Sequence, residues 1–483
     1  MPPKRRTKII ATLGPACSKP DTLRAILSAG VDVLRVNFSH ADETVLATIN
    51  LARTIAKELN RPLAIMADLQ GPKLRIGRFK SNKITLQPNQ PFILDCGSKE
   101  PGDETFVSVA YTDLCFEVSA GDILLLNDGL IELQVTHVEP PLIHCIVTEG
   151  GLLENNKGLN RKGGGLAARA LTLKDKKDMQ TAVSIGADYI TLSFVKDAED
   201  ITEARALLSS MGAKDMPIIA KIERTEALQH LAEIINATDA VMVARGDLGV
   251  EIGAAEVPAI QKRIIEQSRR LDKVVITATQ MMESMIYQPQ PTRAEVSDVA
   301  NAILDGTDAV MLSAETATGL FPVKVITMVD KICLSAEKHA SFLYTTTDDI
   351  CHYHRADQAI AMATMHAANH FPIQAIIALT ESGASAIWMS RQQSKVPIYA
   401  VSANARTVNK LSLVNNVFPI FFDYHTLSSD KVNQQVIKHL TKLGLIQTDT
   451  FVLLTRGHII GQAGGTNCME IIRVSNTAPS RDR

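Results

Sequence analysis

Six short apolar runs, VLRVNFS, LAIMADLQG, PIIAKIE, AVMVARGDLG, VVITATQM and DAVMLSAET, recur at nearly even spacing and each ends in polar or charged residues. Val, Ile, Leu and Ala runs bounded by Gly, Pro and polar residues predict strands buried on both faces, as in a parallel sheet. The polar ends keep step: Thr12 to Asn37 is 25 residues, Asn37 to Asp68 is 31, Lys221 to Asp247 is 26, Asp247 to Thr279 is 32 and Thr279 to Ser313 is 34. One βα unit occupies about 30 residues, so each interval holds one. Helical periodicity between the runs, at Asp21 to Gly30 and Glu256 to Leu271, agrees. TKIIATLG at the start and Tyr189 to Phe194 bring the strands to eight. Eight parallel units imply a closed (β/α)8 barrel with its chemistry at the carboxyl ends of the strands.

One interval breaks the rhythm. Asp68 to Ser193 spans 125 residues, about 95 beyond a normal unit. The excess reads as β-rich, in TFVSVAY, DILLLNDGLIELQVTHV and LIHCIVTEGG, with NDG as a hairpin signal. A small β-barrel-like lid domain inserted after the third barrel strand is expected at residues 72–167, and its basic, glycine-rich exit NKGLNRKGGG suits a hinge. The barrel then takes residues 1–71 and 168–342, its last helix running roughly from Val323 to Lys338. Beyond the polar TTTDD, residues 343–483 alternate again: a helix from Ala356 to His370, then AIIALT, VPIYAV, FPIFF and TFVLLT with helices between, an open α/β domain.

Composition narrows the class. At 483 residues the chain is too long for one core. Lys and Arg total 50 against 52 Asp and Glu, so no overall field draws it to nucleic acid or an anionic membrane. The basic start around Lys4 to Lys8 lacks the apolar stretch of a signal peptide or a membrane span. Seven scattered cysteines fit reduced thiols in a cytoplasm. Two clusters with metal-type residues, Cys351, His352 and His354, and the pair His366 and His370, lack completing ligands.

The strand ends carry the chemistry. Lys221 and Glu223 lie two apart on one strand and so face the same side. Buried there they are costly without a ligand, although a structural ion pair between them is the competing reading. Glu223 with Asp247 supplies two carboxylates, a sparse set suited to magnesium that keeps its waters and takes substrate oxygens. Arg35 and Arg75 offer planar forks for phosphate. Amides in the turn from Arg245 through Gly246 and Asp247 suit a carboxylate, and Thr279 and Ser313 bring hydroxyls able to hold a proton or a water. TESGAS, Thr380 to Ser385, enters a helix with a geometry able to hold a phosphate, although the same residues make an ordinary cap.

With these residues in view, the chain resembles the pyruvate kinase family. TKIIATLGPA, RVNFSH, ADLQGPKLR, AKIE, MVARGDLGVEI, TATQMMESM, PTRAEVSDVANAILDGTDAVMLSAETATG and LTESG follow that family's patterns in order, from Thr7 to about Val474. The resemblance implies phosphoryl transfer from phosphoenolpyruvate to ADP, giving pyruvate and ATP in the last step of glycolysis. By position, Glu223 and Asp247 match ligands of Mg2+ (or Mn2+), and Lys221 matches the lysine that neutralises the phosphoryl group in flight. Arg35 matches a phosphate-binding arginine. Gly246, Asp247 and Thr279 match the substrate-carboxylate pocket, with enolate protonation running through Thr279, Ser313 and water. Asn37, His40, Arg75 and Lys157 match positions near the nucleotide. A homotetramer and a sugar-phosphate activator at Thr380, Glu381, Ser382, Gly383, Ala384 and Ser385 are also implied.

One departure alters the expected chemistry. Many members hold K+ at positions matching Asn37, Ser39, Asp68 and the carbonyl of Leu69, and carry glutamate where this chain has Lys73. An ammonium there could supply the ion's charge, so K+ is expected to be dispensable. The same lysine-bearing branch points to a sugar monophosphate as activator. Three rivals stand against this reading: a class I aldolase with Lys221 forming a Schiff base, another magnesium-dependent phosphoenolpyruvate or pyruvate barrel enzyme, and a sugar-phosphate sensor with a dead barrel.

Overall fold

The structure is a computed structural model that describes residues 5–41, 43–166, 169–339, 355–392, 394–459, 461 and 464–475. The expected boundaries at 167/168 and 342/343, the TTTDD stretch and the group Cys351, His352 and His354 lie outside the described residues.

The eight strands Lys8–Thr12, Val33–Asn37, Ala64–Asp68, Tyr189–Leu192, Ile218–Ile222, Ala240–Ala244, Val274–Ala278 and Ala309–Leu312 form one closed parallel barrel. Lys8 pairs with Ala309 to shut the ring. Both faces are apolar because both are covered: Ile10, Met66, Ile219, Met242, Ile276 and Met311 share one buried cluster, and Ile9, Leu34, Ile65 and Val243 pack in the cluster that includes the surrounding helices. Two barrel helices start at strong sequence caps. Thr172 with Asp175 and Thr292 with Glu295 form reciprocal capping boxes ahead of Leu173–Ser184 and Arg293–Leu304. Helix Val257–Arg270 buries Gln261, Ile264, Ile265 and Ser268, the period expected for it.

Between Ala64–Asp68 and Leu173–Ser184 the insertion builds its own core around Phe92, Leu94, Leu124, Leu133, Ile143 and Val147. Its strands form a six-stranded sheet, in spatial order Leu159–Arg161, Ile123–Leu126, Ile131–Glu139, Leu142–Glu149, Pro91–Asp95 and Phe106–Ser108, beside a two-stranded ladder of Lys83–Leu86 with Gly151–Glu154. The NDG hairpin is present, with Asn127, Asp128 and Gly129 all at positive φ. The exit segment differs from a free hinge. Leu159–Arg161 pairs with Ile123–Leu126, because Leu159 is an apolar anchor only 2% exposed, and Gly163 N donates to Glu251 O at 3.2 Å.

The last sheet runs Val417–Phe421, Ile398–Ser402, Ile373–Leu379, Phe451–Gly457 and Thr466–Arg473, the final strand antiparallel. That strand was not expected from the sequence, since its mixed, half-exposed pattern carries no alternating apolar signal. The sheet and its helices sit against the amino ends of the barrel strands, away from the rim. Lys8 Nζ donates to Val417 O at 2.6 Å, Tyr189 Oη to Lys410 O at 2.5 Å, and Arg391 Nη1 to Asp308 Oδ2 at 2.8 Å.

Candidate active site

At the carboxyl end of Ile218–Ile222, the ammonium of Lys221 meets Glu223 Oε1 at 2.6 Å, Ser193 Oγ at 3.0 Å and Asp68 Oδ1 at 4.0 Å. The pair between Lys221 and Glu223 therefore exists. It leaves one acceptor over: Asp68 Oδ1 is buried with no hydrogen bond among the described residues, whereas Glu223 Oε1 is held by the ammonium and Oε2 accepts from Phe194 N at 2.7 Å. Burial lowers the affinity of Lys221 for its proton, but Asp68, Glu223 and Asp247 together outweigh it and push the pKa to about 12. Such a lysine stays an ammonium at neutral pH. That argues against the Schiff-base rival, which needs a depressed pKa. Glu223 is raised, burial outweighing its lysine partner.

Arg35 is held on two sides. Its Nε donates to Asp68 Oδ2 at 2.6 Å and its Nη1 to Thr12 Oγ1 at 3.0 Å, while Nη2 makes no hydrogen bond among the described residues. Asp247 and Gly246 stand in the first turn of Arg245–Ile252, so their amides belong to a helix N-terminus that favours an anion. Gly246 N donates to Thr279 Oγ1 at 2.8 Å, and that hydroxyl donates to Ala278 O at 2.6 Å. Thr279 has φ 69, a strained setting for a β-branched residue. Arg245 fixes the strained turn from behind, through Thr279 O at 2.6 Å and Asp298 Oδ1 at 2.7 Å. Ser313 N donates to Glu315 Oε2 at 2.6 Å, and Glu315 Oε1 also accepts from Met282 N, so one buried carboxylate joins the Ser313 and Thr279 loops.

The other expected residues divide. Asn37 Oδ1 accepts from Ser39 N at 3.1 Å, and the carbonyl of Leu69 accepts from Ser193 Oγ at 2.8 Å. Lys73 does not contact Asn37, Ser39 or Asp68. Its ammonium lies 2.8 Å from Asp247 Oδ1 and 3.6 Å from Asp128 Oδ1. Burial raises Asp247, but Lys73 and then Lys221 outweigh it and hold the carboxyl below its ordinary range. Arg75 and Lys157 line the root of the insertion, where Arg75 bridges to Gly158, and His40 is exposed beyond Asn37. Sequence reasoning named Thr12 and Ser193 only as strand ends and passed over Asp128, Glu315 and Asp298. Each is read only through a partner far along the chain.

The donor set fits a hard divalent cation. Three carboxylates, Asp68, Glu223 and Asp247, surround the Lys221 ammonium, and Asp68 Oδ1 is buried with no hydrogen bond among the described residues. Below the barrel, Thr380, Glu381, Ser382, Ala384 and Ser385 line a cleft with Trp388, Tyr424 and Arg456. Gly383 adopts φ 87 and donates to Thr380 Oγ1 at 3.0 Å, while Ser385 Oγ and Arg456 Nε are buried without hydrogen bonds. Trp388 was not foreseen, because it lies outside the TESGAS segment.

A closed barrel with an ammonium, an arginine fork and clustered carboxylates at its carboxyl rim defines a phosphate-handling enzyme of the (β/α)8 class. Comparison with known proteins makes this specific. A family model described as "Pyruvate kinase, barrel domain" matches residues 4–326, and one described as "Pyruvate kinase, alpha/beta domain" matches residues 358–472. The chain is 47% identical over 476 residues to a pyruvate kinase of Buchnera aphidicola subsp. Baizongia pistaciae, covering 97% of this chain and 99% of that one. It is 46% identical over 478 residues to pyruvate kinase II of Salmonella typhimurium, covering 97% and 99%. The crystal structure of a pyruvate kinase from Cryptosporidium parvum superposes with a TM-score of 0.89 at 30% identity, covering 97% of this chain and 96% of that one. The chain belongs to the pyruvate kinase family. It transfers the phosphoryl group of phosphoenolpyruvate to ADP, giving pyruvate and ATP in glycolysis.

Proposed function

We propose that Lys221 carries the central step of this reaction, its permanent ammonium neutralising the phosphoryl group as it leaves the enolate oxygen and approaches ADP. The supporting observation is the cluster itself: an ammonium with a pKa of about 12 set between Asp68 and Glu223, where the buried Asp68 Oδ1 has no hydrogen bond among the described residues. Glu223 and Asp247 would hold Mg2+ or Mn2+, which would supply positive charge to offset that of the substrate oxygens. Arg35, pinned by Asp68 and Thr12, turns its Nη2 toward phosphate. The amides of Gly246 and Asp247 take the substrate carboxylate, and Thr279 with Ser313 and water hands the proton to the enolate. Asn37, His40, Arg75 and Lys157 receive the nucleotide.

Lys73 supplies positive charge beside Asp247, so activity should not need K+ at Asn37, Ser39, Asp68 and the Leu69 carbonyl. The cleft at Thr380 to Ser385 receives a sugar-phosphate activator, a monophosphate by preference. We divide the chain at 72–167 for the lid and 343–483 for the effector domain, and read the protein as a cytoplasmic homotetramer. The described helices include none long and apolar enough to cross a membrane. The test of the metal roles is pyruvate formation across a magnesium titration. Glu223→Gln should raise the half-saturating magnesium concentration by about tenfold or more. An unchanged titration removes Glu223 from the metal site.

A further inference from the structure

The hairpin of Ile131–Glu139 and Leu142–Glu149 belongs to the insertion, and its strands run away from the Asn127–Gly129 turn that meets the barrel rim. Along its first strand Ile131, Leu133 and Val135 point into the core, and strict alternation would bury His137 next. A β-bulge prevents this. Between Val135 and His137 the register shifts, Thr136 is left as the extra residue, and His137 turns outward opposite His144. Val138 then turns inward, and Glu139 follows His137 on the outer face. The bulge thus gathers His137, Glu139 and His144 on one side of one hairpin, with their candidate ligand atoms within 4.8 Å of one another.

We propose that these three residues form a binding site for a first-row transition cation of the zinc type. Two imidazoles and one carboxylate, with a fourth position left to water, are a donor set such ions prefer and magnesium does not. Two further observations point to a ligand. His144 Nε2 is buried yet has no hydrogen-bond partner. The rings of His137 and His144 stack at 4.1 Å with an 8° interplanar angle, so their nitrogens already lie side by side. The tautomer of His137 is also set. Thr136 Oγ1 donates its single proton to His144 O at 3.0 Å, so toward His137 Nδ1, 3.2 Å away, it can only accept. Nδ1 therefore carries the proton and Nε2 keeps the lone pair, with Thr136 as its orienting partner. Glu139 enters no ion pair among the described residues that would compete. Binding one ion requires the two rings to swing out of their parallel stack, since lone pairs lying in parallel planes do not converge.

The site is separate from catalysis. At about 3.3 Å per residue, the six steps from Ile131 to His137 put it roughly 20 Å along the strand from the Asn127–Gly129 turn, where Asp128 meets Lys73. An ion there would clip the two strands of the hairpin together without touching substrate.

The test is equilibrium dialysis of the full chain against zinc chloride, with millimolar magnesium present to fill the barrel rim. The wild type should bind one more zinc per chain than His137→Gln or His144→Gln, with micromolar affinity. Glu139→Gln and Thr136→Val should each weaken that zinc by about tenfold. Pyruvate formation measured without zinc should be unchanged in all four variants, which also reports that they fold. Equal zinc content and affinity in wild type and histidine variants, including no binding by either, would overturn the proposal.

Discussion

Nζ of Lys73 lies 2.8 Å from Oδ1 of Asp247 and 3.6 Å from Asp128, so one ammonium joins a catalytic-rim carboxylate to the hairpin turn of the insertion. Burial lowers the proton affinity of Lys73, but Asp247 outweighs it and the pKa is raised. The lysine is a fixed positive charge, held where it touches both the barrel and the inserted domain.

That charge makes the potassium requirement testable. Rates of pyruvate formation in buffer free of potassium and sodium should match those with potassium present. Lys73→Glu would place a carboxylate against Asp247 and should lose about tenfold or more in rate without potassium, ~1.4 kcal/mol of barrel-rim electrostatics. Added potassium should restore much of it. A wild type that stalls without potassium would refute the role given to Lys73.

The contact between barrel floor and terminal sheet rests on a buried pair. Arg391 and Asp308 are 6% and 0% exposed, and Asp308 is held below its ordinary range by Arg391 against the cost of burial. Arg391→Ala strands that carboxylate, and unfolding midpoints in urea should report a loss of about 3–5 kcal/mol. A loss under about 1 kcal/mol would mean that water reaches Asp308 readily.

Glu251 gives a pH signature at the root of the insertion. Burial pushes its carboxyl up to about 7, Glu226 adds to the rise and Arg224 opposes it, while Thr225 N donates to Oε2 at 2.8 Å. A raised folded pKa means that folding takes up a proton. The stabilisation is full below the ordinary value of 4.5 and is lost as pH rises to about 7. Unfolding free energy should fall across that window by up to about 3 kcal/mol from this group. Glu251→Gln should flatten the fall, as measured by denaturant titration at pH 5 and pH 8. An identical slope in the variant would show that the carboxyl is not protonated in the folded chain.

The barrel was legible because its strands are buried on both faces, so each reads as an apolar run with a polar end. The rim residues Lys221, Glu223, Asp247 and Thr279 were legible for the same reason. What stayed hidden depends on contacts across the chain. Lys73 was expected near Asn37, yet its aim is set by Asp128, which arrives on a hairpin 55 residues later. Ser193 reads as a strand end, and only the fold shows it accepting a hydrogen bond from Lys221 while donating to Leu69 O. The strand Thr466–Arg473 was missed because its exposed, mixed pattern resembles a loop. The bulge at Thr136 was missed because a shift of one residue leaves composition untouched.

Steady-state kinetics of Lys221→Met decide the matter of the phosphoryl step. Removing the ammonium while keeping the apolar stem should cut kcat by about 10³-fold, with the KM for phosphoenolpyruvate changed far less, because the charge acts on the group in transit. A kcat within about tenfold of the wild type would show that another group neutralises the phosphoryl, and Lys221 would revert to a structural partner of Glu223 and Asp68.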